Sequence, residues 1–146
     1  MEIIKNKKAY FQYQIEDTYE AGIVLLGTEV KSLRGKKINV QDAYAVFKGR
    51  ELFLINCRIE PYSHGTHANH DPLRTRKLLL HKKELFKIRT KIAQKGYVCV
   101  PLSCYFKNGK VKFGLGLGKG KKIHDKRETI KSRDVQRDIE RERGRY

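Results

Sequence analysis

Asn108-Gly-Lys-Val-Lys-Phe-Gly-Leu-Gly-Leu117, which follows the apolar run Tyr97–Phe106, is the stretch that decides the fold. An Asn-Gly pair between two alternating runs is a strong signal of a two-residue β-hairpin. After the turn, valine, phenylalanine and leucine alternate with lysine and glycine, the period-two pattern of a strand with one buried face. The glycines are interpreted as positions of twist and close packing, and Pro101 in the first run predicts a sheet edge or a bulge.

Four further strands are predicted outward from this hairpin. They are residues 10–15, 22–26, 43–48 and 51–59, and in the last of these Phe53, Ile55, Cys57 and Ile59 are expected to share one face. In the first, Phe11, Tyr13 and Ile15 are expected to share a buried face. Residues 60–76 are predicted to be irregular, and residues 77–81 fit either a strand or the start of a helix.

Two helices interrupt the strands. Leu26, Val30 and Leu33 follow helical spacing, with Thr28 as the predicted N-cap and Gly35 at the C-terminal end. The outer face of this helix is predicted to carry Glu29, Lys31, Ser32 and Arg34. The second helix is predicted over residues 82–95, with Leu85, Ile88 and Ile92 inward and Lys83, Lys87, Lys91 and Lys95 outward.

These elements predict a mainly β fold. An open sheet of about six short strands would leave exposed edges, which closure removes. We therefore expect a small closed antiparallel β-barrel of the oligonucleotide-binding (OB) type with inserted short helices over residues 1–118. Residues 119–146 are predicted to be a basic C-terminal tail, with a hinge at Gly118-Lys-Gly120.

Charge and composition restrict the classes of function. The 146 residues include 33 Lys and Arg against 16 Asp and Glu, a net charge of +17, and nucleic acid is the commonest partner of so basic a small chain. No apolar run reaches the length of a transmembrane helix, and no signal peptide is recognisable at the N-terminus. Three cysteines do not make a disulfide framework, so we expect a reducing, cytoplasmic compartment. We also expect no membrane contact and a monomer.

The tail has a charge pattern of its own. Arg133, Arg137, Arg141 and Arg145 recur every fourth residue, and Asp125 with Glu128 fits a capping box. Few apolar residues accompany them, so the free segment is expected to be mostly disordered and to become helical on an acceptor that neutralises the arginines. The alternative is a solvated tail that only aids solubility.

No motif predicts catalysis, a metal or a cofactor. His64, His67 and His70 are spaced by three, but Gly65 and Pro72 interrupt the helix that would bring them together. Nucleophile-elbow, zincin and Walker motifs are absent from the sequence. We therefore expect an RNA-binding protein that is not an enzyme. Tyr10 and Tyr44, on polar faces, are candidate stacking platforms for unpaired bases.

Five spaced strings resemble the SmpB family of bacterial tmRNA-binding proteins. They are Asn6-Lys-Lys-Ala9, Gly27-Thr-Glu-Val-Lys-Ser-Leu-Arg34, Asp42-Ala-Tyr44, His70-Asp-Pro-Leu-Arg-Thr-Arg-Lys-Leu-Leu-Leu-His81 and Gly120-Lys-Lys-Ile-His-Asp-Lys-Arg127. The resemblance implies a non-enzymatic protein that binds the tRNA-like domain of tmRNA and accompanies it to stalled ribosomes for trans-translation. It also implies that the tail occupies the decoding centre of the small subunit and the empty mRNA channel.

The resemblance also implies which residues contact each partner. For tmRNA these are Asn6, Lys7, Glu29, Lys31, Ser32, Arg34, Lys36, Asn39, Asp42 and Tyr44, to which the aromatic argument adds Tyr10. For the ribosome, chiefly small-subunit rRNA, they are Gly120, Lys121, Lys122, His124, Asp125, Lys126 and Arg127, and the arginine pattern adds Arg133 and Arg137.

Glu29 is an unusual residue for a phosphate-binding surface. It is predicted either to accept hydrogen bonds from base edges or to orient Lys31 and Arg34, and the alternative is an ordinary ion pair on a surface helix. Two other functions remain open: a ribosomal or single-strand-binding module without a dedicated partner, and a metal-dependent nuclease built on the histidine loop.

Overall fold

The structure is a computed structural model that describes residues 1–64 and 69–121. Within these residues the chain forms the following elements in order: β1 Glu2–Lys5, α1 Lys7–Gln12, β2 Tyr13–Ile23, α2 Gly27–Arg34, β3 Ile38–Asn39, β4 Tyr44–Lys48, β5 Glu51–Ile55, β6 Arg58–Ile59, β7 Arg76–Leu79, α3 Lys82–Ile92, β8 Tyr97–Lys107 and β9 Lys110–Gly120. No helix among the described residues is long and apolar enough to span a membrane.

The predicted hairpin is confirmed. Asn108 and Gly109 have φ angles of 52° and 76°, the left-handed pair that a type I′ turn requires, and β8 and β9 pair on either side of them. The register shifts between Pro101 and Ser103, so the predicted bulge is present. A Cβ on Gly116 would lie 2.8 Å from the Leu102 side chain, so this glycine permits the close packing expected of it.

The large sheet is antiparallel throughout, with the strand order β1-β8-β4-β5-β7-β2-β9 and an additional pairing of β8 with β9. β9 therefore has a partner on each side, β2 and β8. A short second sheet pairs β3 with β6. The mainly β, antiparallel prediction is confirmed.

The bounds predicted near the N-terminus are wrong. Residues 7–12 form α1, because the Asn6 side chain accepts the Ala9 N–H and caps a helix there. Phe11, expected on a buried strand face, is 69% exposed. The two strands predicted over residues 10–15 and 22–26 are one long strand, β2, which ends at Ile23.

The predicted strand 51–59 is also divided. Leu52 and Leu54 are the buried side chains of β5, whereas Phe53 and Ile55 are only partly buried, so the predicted face is wrong for that half. Asn56 has a φ of 58°, and this left-handed residue breaks the strand and resets the alternation. Cys57 and Ile59 point inward as predicted because they follow the break.

Most of the core is a single cluster to which both longer helices contribute. Leu33 of α2 and Ile88 of α3 are fully buried in it, and Leu85 and Ile92 pack against it as predicted. A second, smaller cluster holds α1 to the outside of β8, with Ala9, Tyr13, Val98, Val100 and Leu102 as its members. Residues 77–79 belong to a strand, and α3 ends at Ile92, three residues before the predicted bound.

The hinge predicted at residues 118–120 is wrong. These residues continue β9, and the Lys121 N–H donates to the Gln12 carbonyl 2.9 Å away. A Cβ on Gly118 would lie 2.2 Å from the Gln14 carbonyl oxygen, so only glycine fits at this point of the pairing between β2 and β9. Residues 119–121 are therefore continuous with the folded part of the chain, and the rest of the predicted tail, residues 122–146, lies outside the described residues.

Candidate nucleic-acid interface

A fully buried carboxylate orients α2. Glu29 accepts the Leu26 N–H at 2.7 Å and an Arg74 guanidinium N–H at 2.7 Å through Oε1, and the Arg76 Nε–H through Oε2. Its side chain has no solvent exposure, so the prediction that it lies on the outer face is wrong. Burial by itself would raise the pKa of Glu29, but the hydrogen bonds from Arg74, the Leu26 N–H and Arg76 hold the pKa below its usual range.

The two arginines connect this carboxylate to other parts of the fold. Arg76 is fully buried in β7 and donates to the Cys57 carbonyl at 2.7 Å and the Pro72 carbonyl at 3.2 Å. Arg74 also donates to the Val24 carbonyl at 3.1 Å. Sequence reasoning missed both residues; the available signal was the alternation of Arg76 with Leu78, which places an arginine on the inward face of a strand.

His70 fixes the same helix from the other side of its first turn. Its Nε2 lies 2.8 Å from the Ile59 carbonyl oxygen, and its Nδ1 lies 2.9 Å from the Thr28 hydroxyl. The carbonyl can only accept, so Nε2 carries a proton, and in the neutral imidazole the Thr28 hydroxyl donates to Nδ1. Thr28 is therefore not the predicted N-cap: α2 begins after Leu26, and the hydroxyl of Thr28 bonds to histidine.

The outward face of α2 is basic. Lys31 and Arg34 are exposed as predicted, and Lys36 follows the helix, exposed, with a φ of 58°. Lys31 Nζ lies 5.4 Å from the centre of the ring of Tyr62, a residue of the segment between β6 and β7, so this ring lies beside the basic face. Ser32 is buried, so its predicted place on the outer face is wrong.

Asn6 is a structural residue, not an exposed one. Besides capping α1, its side-chain amide donates to the Val40 carbonyl at 3.1 Å and the Pro101 carbonyl at 2.8 Å. It is buried, so its amide is not available to a ligand. Lys7 and Tyr10 are exposed on α1, and Lys5 Nζ lies 6.0 Å from the Tyr10 ring centre.

The loop between β3 and β4 lies beside α1. Asp42 is exposed and pairs with Lys8 at 3.1 Å, and the Asn39 side chain accepts the Gln41 N–H at 2.9 Å. Tyr44 is half-buried against the second cluster. The structure thus brings Lys7, Tyr10, Asn39 and Asp42 to the surface around the second cluster, whereas Lys31, Arg34 and Lys36 belong to α2 and its end.

Of the predicted ribosome-binding residues, the structure places two. Gly120 ends β9 and Lys121 follows it, exposed. Lys122, His124, Asp125, Lys126, Arg127, Arg133 and Arg137 lie outside the described residues.

The described residues contain no group of histidine, cysteine and carboxylate side chains that could hold a metal ion. His70 is used by Thr28 and Ile59, His64 lies edge-to-face on Tyr62 at 5.5 Å, and His67 is outside the described residues. Burial raises the pKa of Cys57 and of Cys99 to about 12, and raises that of Cys104 as well. These three thiols are protonated core residues and not nucleophiles.

A small antiparallel β-protein with a rigidly held basic helix and exposed aromatic residues belongs to the class of nucleic-acid-binding modules. The sequence profile of the SmpB protein family matches residues 3–145. The chain belongs to the SmpB family.

Curated relatives and a solved structure agree with this assignment. The SsrA-binding protein of Geobacillus sp. (strain WCH70) is 55% identical over 95% of this chain and 90% of its own. That of Bacillus subtilis (strain 168) is 54% identical over 94% of this chain and 88% of its own. That of Geotalea uraniireducens (strain Rf4) is 56% identical over 94% of this chain and 91% of its own. A solved chain described as "tmRNA-SmpB: a journey to the center of the bacterial ribosome" is 48% identical, with a TM-score of 0.73 over 87% of this chain and 93% of that one.

Proposed function

We propose that this protein binds the tRNA-like domain of tmRNA and delivers it to stalled ribosomes for trans-translation. The curated relatives bind SsrA RNA by name, and the similar solved chain is described with tmRNA and the bacterial ribosome. In this proposal it acts as an adaptor without catalysis. A ribosomal partner implies a cytoplasmic location.

The observation that carries the proposal for the body is the buried Glu29. Its contacts with Arg74 and Arg76 fix the rotation of α2, so that Lys31 and Arg34 project into solvent. Both side chains are cations on one short, rigid element, a suitable arrangement for the phosphates of a folded RNA. Glu29 acts here as a positioning residue and does not itself contact RNA.

The exposed residues around the second cluster complete the proposed RNA-binding face. Lys7 and Tyr10 on α1 and the loop of Asn39 and Asp42 offer a cation, an exposed ring and polar groups. The tail, Lys122 onward, has a separate role, which is to bind small-subunit rRNA in the decoding centre and the empty mRNA channel.

We further propose that the large sheet is a closed barrel of the OB type. The support is β9, which pairs with both β2 and β8, so that the neighbours β8, β4, β5, β7, β2 and β9 lead back to β8. Hydrogen exchange tests this, because amides on both ladders of β9 should be protected in a closed barrel. Rapid exchange along either complete ladder would contradict closure.

The roles of the body and the tail should be separable. Truncation after Lys121 keeps the β9 pairings and the Lys121 bond to Gln12, so we expect tmRNA affinity within about threefold of the full chain and loss of alanine transfer on stalled ribosomes. The matched variant Lys31→Gln/Arg34→Gln has an intact tail but should weaken tmRNA binding, with a log–log salt slope smaller by about 1.4–1.8.

Filter binding against tmRNA and against bulk tRNA at one salt concentration decides between this function and a general RNA-binding module. A specific adaptor prefers tmRNA by more than tenfold. Equal affinity for the two RNAs, or loss of tmRNA binding on truncation, would refute the proposal.

A further inference from the structure

The outer face of α3 has a composition that the fold does not explain. Phe86 is a large apolar side chain, yet it is 71% exposed. Lys83 lies three residues before it and Lys87 directly after it, and both are exposed. Phe86 and Lys83 lie on the side of the helix opposite the buried Ile88, and Lys87 lies on the flank between them. Glu84, the one acidic residue in the sequence of α3, is turned to the helix start, where it accepts the His81 N–H at 3.1 Å.

These charges continue from α3 to the end of the barrel strand β9. Lys91 Nζ lies 4.9 Å from the centre of the Tyr97 ring, and Lys119 Nζ lies 4.7 Å from the same centre. The Tyr97 hydroxyl donates to Glu16 at 3.1 Å, so the Glu16 carboxylate lies at the hydroxyl end of a ring that two ammonium groups approach. Lys83, Lys87 and Lys91 recur every fourth residue along α3, and Lys91 meets Lys119 at the Tyr97 ring, so the basic row of the helix continues to the end of β9.

We propose that Lys83, Phe86, Lys87, Lys91 and Lys119, the α3 strip, bind small-subunit ribosomal RNA, with Phe86 stacked on an unpaired base. An isolated aromatic ring among lysines suits a nucleobase flanked by phosphates. It suits a protein partner less well, because its exposed neighbours in the helix are charged or polar and not apolar side chains that would extend the ring into a patch. Lys83 and Lys87 have no ion-pair partner among residues 1–64 and 69–121, so phosphates can neutralise them.

The position of the strip selects the ribosome over tmRNA. It ends at Lys119 in the last residues of β9, and the chain continues from there into residues 122–146, to which the proposed function assigns ribosome binding. The α2 face assigned to tmRNA is fixed separately, through Arg74 and Arg76. The inference rests on the proposed ribosome binding, and it extends that contact from the tail to the folded body.

Binding of the full-length protein to vacant 30S subunits and to the tRNA-like domain of tmRNA tests the inference. Lys83→Gln/Lys87→Gln should weaken 30S binding at least fivefold and reduce the log–log salt slope by about 1.4–1.8. The control, Lys110→Gln/Lys112→Gln, removes the same charge near the opposite end of β9, roughly 22–30 Å from Lys119 along an extended strand, and should stay within twofold. Binding of the tRNA-like domain should stay within twofold for both variants.

Variants of Phe86 separate stacking from apolar contact. Phe86→Ala and Phe86→Leu should each weaken 30S binding about fivefold or more, whereas Phe86→Trp should retain it, because leucine is apolar but has no ring to stack. A leucine variant that binds like the original protein would overturn RNA stacking in favour of a protein contact.

The remaining outcomes are equally decisive. Unchanged 30S binding by the lysine and alanine variants, alongside normal binding by the original protein, would refute the α3 strip and leave the proposed function intact. If the α3 variants lost binding to tmRNA but kept binding to 30S subunits, the strip would belong to tmRNA and the inference would be overturned. Failure of the original protein itself to bind 30S subunits would refute the proposed function.

Discussion

Replacing Glu29 with glutamine should reveal how much of the fold depends on one buried charge. The substitution keeps the shape of the side chain but leaves Arg76, which has no solvent exposure, without its anionic partner. It also turns an amide N–H, or a weaker carbonyl, toward donors from Leu26, Arg74 and Arg76. Breaking a buried ion pair by removing one partner costs about 3–5 kcal/mol. We expect the free energy of unfolding to fall by about 3 kcal/mol, since Arg74 is partly exposed and regains water.

Urea unfolding followed by circular dichroism measures this loss, with Glu60→Gln as the matched control. Glu60 pairs with Arg58 at 2.6 Å, but both side chains are nearly half exposed, so its removal should cost less than about 1 kcal/mol. A Glu29→Gln loss as small as the control's would refute the role of the buried charge. Without urea, where Glu29→Gln is expected to remain folded, its affinity for tmRNA should still fall, because α2 is no longer held in one orientation. An unchanged affinity would show that α2 does not need the Glu29 anchor.

Three further predictions follow from the contacts of Glu29, Asn6 and Gly118. The pKa of Glu29 is lower in the folded protein than in the unfolded chain. The ionised carboxylate therefore stabilises the fold fully above about pH 4.3, and this stabilisation is lost as the pH falls through the folded pKa. The difference in unfolding free energy between the original protein and Glu29→Gln should narrow below about pH 4. Asn6→Ala should cost at least about 2 kcal/mol in urea unfolding, because it removes a helix cap and two bonds to buried carbonyls. Gly118→Ala should cost at least about 2 kcal/mol through its clash with the Gln14 carbonyl, whereas Gly27→Ala, with nothing within 4 Å of the added carbon, should lie within about 1 kcal/mol of the original.

The sequence predicted the elements whose signals are local. The hairpin at Asn108-Gly109 needs only two left-handed residues and alternation on each side, and both are visible in the letters. The inward residues of α3 follow from helical spacing alone. The family strings identified the chain as well, in agreement with the profile match over residues 3–145.

Errors arose where a distant contact overrides the local pattern. Residues 10–12 alternate like a strand, but the cap at Asn6 depends on carbonyls of Val40 and Pro101, 34 and 95 residues away. A left-handed Asn56 reverses the face of a strand without changing its apolar composition. The two bonds from Asn6 to distant carbonyls have no signal within a window of ten residues.

The orientation of α2 shows why the candidate site was the hardest part to predict. By apolar spacing, Leu26 should face the core and Glu29 the solvent, yet Leu26 is exposed and Glu29 is buried. The reason lies in β7, where Arg76 occupies an inward position among leucines and requires a buried anion. Glu29 supplies it, and the rotation that brings Glu29 inward turns Lys31 and Arg34 outward. The strings 27–34 and 70–81 therefore meet in one ion-pair network, and the carboxylate that is unusual for a phosphate-binding surface holds in place the cations of the face that we propose binds tmRNA.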